Sequence, residues 1–96
     1  MRVVGRPAAY VAEATGYLDD MSTAATTGNA AAVVRPAHTL KSSSASVGAM
    51  RLAGVCRSIE EAGREGRGDG LAEHVQEAQA TWAATVDALR AAGLTP

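Results

Sequence analysis

An all-α fold, arranged as an up-and-down antiparallel four-helix bundle, is predicted by three features of this 96-residue sequence. Alanine supplies 22 residues, Phe is absent and aromatics reach only 3%. Ala is the best helix former, while the β-branched and aromatic residues that favour strands are scarce. Apolar residues recur at helical spacing in four separate segments. Breaks at Gly28-Asn29, at Ser46-Val47-Gly48 and across residues 63–70 leave only short connections between those segments, which is the pattern of antiparallel neighbours.

The first helix is expected over residues 8–27, where Tyr10, Ala14, Tyr17, Leu18, Met21 and Ala25 share one face. Pro7 suits its first turn and Gly28 its stop, while Gly16 weakens it by about 1 kcal/mol relative to Ala. The second, over 29–46, begins at Asn29 as an N-cap and buries Val33, Ala37, Leu40, Ser44 and Val47. Pro36 interrupts it by removing a backbone donor and crowding the Ala32 carbonyl, at a cost of about 3 kcal/mol in a helix interior. Either neighbours compensate or residues 29–35 form a separate short helix. The third, over 49–64, turns Leu52, Val55, Cys56 and Ile59 inward. The fourth, over 70–92 and capped by Asp69, does the same with Leu71, Val75, Ala78, Trp82, Val86 and Leu89. Trp82 and Met50 read as core or rim packing.

A chain of this length makes a single domain, taken here as 1–96, with one thin core and little volume to give to a deep substrate cavity. Nine basic residues stand against ten acidic ones, so no field gathers nucleic acid or an anionic membrane. A lone Cys forms no internal disulfide, and the start at Met1-Arg2-Val3-Val4 is too short for a leader. No apolar run reaches 18 residues. The expected chain is soluble, cytoplasmic and monomeric.

Chemistry concentrates on the second helix. On a wheel of about 100° per residue, His38 lies some 140° from the centre of the buried stripe and therefore faces solvent. Val34, Lys41, Ser42 and Ala45 share its face at helical spacing. An imidazole is available as a nucleophile near neutral pH, Lys41 would offer a point charge to a phosphoryl group on it, and Ser42 and Ser43 would offer hydroxyl donors. Composition alone favours an ordinary solvated face.

The run Ala37-His38-Thr39-Leu40-Lys41-Ser42-Ser43-Ser44-Ala45-Ser46-Val47-Gly48-Ala49, followed by Leu52, Cys56 and Ile59-Glu60, closely resembles the signature of histidine-containing phosphotransfer (HPt) domains. That signature reads A-H-x-L-K-[GS]-S-S-x-x-x-G-A and then L-x-x-x-C-x-x-[LI]-E. The resemblance implies a phosphorelay carrier, with no ATP-dependent kinase activity of its own, that accepts a phosphoryl group on His38 from a receiver-domain aspartate and passes it to another receiver. It further implies that Lys41 stabilises the phosphoryl group and that Glu60 and Arg64 orient the histidine or contact the partner, while the wheel makes Ala45 and the neighbouring Ser42 and Ser43 the low ground on which such a partner would settle. Response-regulator receivers, alone or within a hybrid histidine kinase, are the implied partners. No cofactor or metal is implied for the chain itself, because the Mg²⁺ belongs to the receiver. The alternative is a non-catalytic helical adaptor that binds a receiver or another helical partner.

Remaining features read as structural. Arg67-Gly68-Asp69 is a loop tripeptide, and His74 has no second ligand at metal spacing. Cys56 reads as a small buried hydrophobe. Glu60 and Glu61, as adjacent residues, do not face each other on a helix. The glycines of residues 63–70 lack the Lys-Ser/Thr of a phosphate-cradling loop.

Overall fold

A computed structural model describes residues 7–93, with side chains placed from Ala9 onward. Met1 to Val4 lie outside the described residues. Four α-helices follow one another: α1 (Pro7–Thr26), α2 (Val34–Ser46), α3 (Met50–Arg64) and α4 (Leu71–Ala91). A 3-10 helix, Ala30–Val33, precedes α2. Among the described residues there is no strand. Helix α1 packs on α2 and α4, and α3 packs on the same two, so chain neighbours are spatial neighbours around a closed ring. With short connections this gives the up-and-down antiparallel bundle read from the sequence, an elongated body of 38 × 18 × 17 Å.

Pro36 explains the divided second segment. The 3-10 helix ends at Val33 and α2 restarts at Val34, which places Pro36 third in the new helix. An N–H in that first turn has no intrahelical acceptor, so the proline forfeits nothing there. Two expected caps are corrected. Asn29 does stand at the N-cap of the 3-10 helix, but its side chain makes no cap bond. At α4 the N-cap is Gly70 rather than Asp69, again with no side-chain bond. The backbone itself closes that turn, with the Leu71 N–H donating to the Gly68 carbonyl at 3.2 Å.

The α2–α3 turn fixes how the site helices meet. Gly48 adopts φ 84°, a left-handed conformation that suits glycine. The Ala49 N–H returns to the Ser44 carbonyl at 2.8 Å and the Gly48 N–H to that of Ala45 at 3.1 Å, closing a Schellman motif. Helix reversal there brings α3 back along α2.

Met21, Val33, Leu40, Leu52, Ile59 and Leu89 fill the centre, each fully buried. Burying such a side chain contributes about 1.5–3 kcal/mol. In α1 the last turns differ from expectation, since Ala24 is buried while Ala25 is only partly covered. Trp82 and Val86 likewise sit at the rim, half-buried. The Tyr10 ring meets Trp82 edge-on, with centroids 5.4 Å apart at 74°. The Tyr10 hydroxyl bonds Ser44 Oγ at 2.8 Å, which satisfies two buried polar groups together and explains a serine in an apolar stripe. Met50 is a further correction: as the first residue of α3 it projects from the bundle, 64% exposed.

Candidate functional site

Helix α2 carries His38 on its outer face, with 55% of the side chain exposed. Across the α2–α3 contact stands Glu60, an acid only 5% exposed. Its place follows from α3's own periodicity. Glu60 comes one turn after Cys56 and directly after Ile59, both fully buried, so the helix turns it toward α2 rather than toward water.

Its carboxylate gathers three side chains. Oε2 receives His38 Nδ1 at 3.0 Å and also Arg64 Nη2 at 2.7 Å and Nε at 3.1 Å. Oε1 receives Lys41 Nζ at 2.7 Å. Lys41 above all, then Arg64 and to a smaller extent His38, hold the Glu60 carboxyl down to about 2 from an ordinary 4.5, against the opposing effect of desolvation.

That ionised state decides the histidine's tautomer. A carboxylate only accepts hydrogen bonds, so Nδ1 must be the donor. In the neutral ring the lone pair then resides on Nε2, which has no hydrogen-bond partner among the described residues. The site therefore presents an oriented nucleophilic nitrogen beside two cations that outnumber the one carboxylate. Such a place can take up an anionic electrophile.

The other residues singled out in the sequence distribute unevenly. Lys41 is near the ring, yet its ammonium is occupied by Glu60. Ser42 and Ala45 are exposed on the His38 side of α2. Ser43 departs from the expectation, since its offset of five residues turns it about 140° from His38. Its hydroxyl donates to the carbonyls of Thr39 and Leu40, at 3.1 and 3.3 Å. Arg64 is 59% exposed but tied to Glu60 rather than loose in solvent. Glu61 points away from this cluster and pairs with Arg57 at 3.2 Å.

The resemblance pointed to Glu60 and Arg64 beside the histidine, but that Lys41 shares the same carboxylate was not visible in the motif. The signal for that sharing was an acid placed among the inward residues of α3, because a buried carboxylate needs partners. Cys56 takes no part: burial pushes its thiol up to about 12, which leaves it unreactive. Among the described residues no three His, Cys, Asp or Glu side chains gather as they would around a metal ion. Arg67 of the loop tripeptide pairs with Glu65. No helix among the described residues is long and apolar enough to cross a membrane.

The family model for the Hpt domain matches residues 8–92. No curated protein and no solved structure gives a significant match.

Proposed function

The chain belongs to the Hpt domain family, and on that premise we propose that His38 carries the phosphoryl group between the aspartates of two receiver domains. Histidine phosphotransfer within a phosphorelay is the role that the family brings, and receiver domains are the partners that such domains engage. The finer assignment rests on one observation above all. His38 is fixed through Nδ1 on the buried Glu60 carboxylate, with Nε2 as the nitrogen left to react.

In this reading the Nε2 lone pair forms a bond to phosphorus as the bond from phosphorus to the aspartyl oxygen breaks. The departing carboxylate takes that electron pair. The Nδ1 proton stays on the ring, which gains one positive charge, and Glu60 stabilises that charge where it develops. The return step reverses each change with a second receiver. The receiver supplies the magnesium ion that neutralises the moving phosphoryl group. Lys41 lies three residues from His38 on the same face, within reach of the phosphoryl oxygens once it leaves Glu60. A cytoplasmic monomer, meeting free receivers or one within a hybrid histidine kinase, is the form proposed.

Incubation with a phosphorylated receiver tests the assignment. The expected product is an acid-labile, base-stable label on the chain that is absent from His38→Gln. If His38→Gln takes up label as well as the parent does, His38 is not the carrier. Receiver binding that survives His38→Ala, with no transfer from any receiver offered, would instead support a non-catalytic adaptor.

A further inference from the structure

The Glu60 cluster holds one more charge than carriage on His38 requires. Lys41 and Arg64 both pair with the same carboxylate, through different oxygens. Lys41 is the cation on the histidine's own helix, three residues along, whereas Arg64 lies on α3 one turn beyond Glu60. A phosphoryl group on Nε2 would add about two negative charges beside this cluster. To turn its charge onto them Lys41 would loosen its 2.7 Å bond to Oε1. With Lys41 as the sole side chain besides His38 on Glu60, departure would leave a carboxylate 5% exposed with only the charge of the phosphorylated imidazole beside it, facing a new dianion, and like charges that close repel strongly. Arg64 already covers Oε2 with two N–H bonds, so Glu60 stays compensated when Lys41 goes.

We propose that Arg64 is a positioning residue that frees Lys41 to move from Glu60 to the phosphoryl group on His38. The inference rests on the carrier reading above and adds a division of labour between two cations: Lys41 travels and Arg64 stays.

A small phosphoryl donor isolates this effect from receiver docking. With phosphoramidate, Nε2 forms the new bond to phosphorus while the donor's phosphorus–nitrogen bond breaks and ammonia leaves with the electron pair. The Nδ1 proton remains on the ring. Arg64→Gln should slow labelling by this donor about threefold to fivefold, the scale on which an exposed ion pair acts. Arg64→Lys should restore most of the rate. In the Lys41→Gln background the Arg64→Gln change should have no further effect, and circular dichroism should show all variants folded. In the parent, the Lys41 Nζ resonance should shift on phosphorylation, and in Arg64→Gln that shift should shrink. An Arg64→Gln protein labelled at the parent rate, or one whose loss multiplies with that of Lys41→Gln, overturns the inference while leaving the carrier reading intact. So does a loss seen only with a receiver, which would make Arg64 a docking contact. A parent that takes no label at His38 from phosphoramidate or receiver overturns both.

Discussion

Four N–H donors converge on the two oxygens of Glu60, three on Oε2 and one on Oε1, so this buried carboxylate is well compensated. Two consequences can be measured. The first concerns acid. Because the folded value of about 2 lies below the ordinary 4.5, the stabilisation is complete above about pH 4.5. It is lost as the pH falls toward 2 and the carboxylate protonates. Urea unfolding of the parent and of Glu60→Gln should therefore differ at neutral pH and converge between pH 4.5 and 2. At neutral pH the difference should be about 2–3 kcal/mol, the size that a shift from 4.5 to about 2 implies, less what the Lys41 and Arg64 heads regain by returning to water when their partner is lost. The second concerns transfer. A Gln oxygen can still accept from Nδ1 but supplies no negative charge to the ring as it becomes cationic. Glu60→Gln should keep the fold and slow receiver-dependent labelling of His38 by about 10- to 100-fold, measured under single-turnover conditions.

Two glycines inside helices make opposite predictions. In α1, Gly16 faces open space, with nothing within 4 Å of where a Cβ would stand. Gly16→Ala should raise stability by about 0.5–1 kcal/mol through helix propensity alone. In α3, a Cβ on Gly63 would meet Val33 Cγ2 at 2.6 Å and the Ala30 carbonyl oxygen at 2.9 Å. Gly63→Ala should cost about 1–3 kcal/mol, because the 3-10 helix must retreat from α3 to admit a methyl group. Thermal unfolding of both variants beside the parent separates the two. The sequence marked Gly63 as part of a glycine-rich break, along with Gly66, Gly68 and Gly70, and periodicity has no means of telling a close helix contact from a turn. Helix faces were legible because Val33, Ala37, Leu40, Ser44 and Val47 follow a period belonging to one helix at a time. The reach from His38 to Glu60 depends on how α2 and α3 sit against each other, and no single-helix wheel contains that angle. Pro36 was half legible: its cost was clear from covalent geometry, while the restart at Val34 depended on the 3-10 helix finding a seat among α1, α2 and α3. The caps failed for a local reason, since the turn backbone itself takes up the Leu71 and Ala32 N–H groups and neither Asn29 nor Gly70 offers a side-chain bond there.

Taken whole, the molecule is a slim rod 38 Å long and about half as wide, with its candidate chemistry on the side of one helix rather than in a cleft. Alanine makes that shape workable, because small side chains let helices approach closely and leave the outer face of α2 low. Ser42 is one turn past His38 and Ala45 nearly two, about 10 Å along the axis, and both are exposed. If a receiver must settle over this ground to bring its aspartate to Nε2, bulk at Ala45 should obstruct the receiver and spare a small donor. Ala45→Trp adds that bulk at an exposed position, where the core does not feel it. Labelling from a phosphorylated receiver should fall at least tenfold, since a displacement of about 1 Å in a reacting pair already costs rates of that order. Labelling from phosphoramidate should stay within about twofold of the parent, because the donor is small enough to pass beside the indole. Equal losses with both donors would mean that the substitution disturbs the imidazole or Lys41 instead. Full retention with both would place the docking surface on the other flank of His38, toward Val34 and the start of α2.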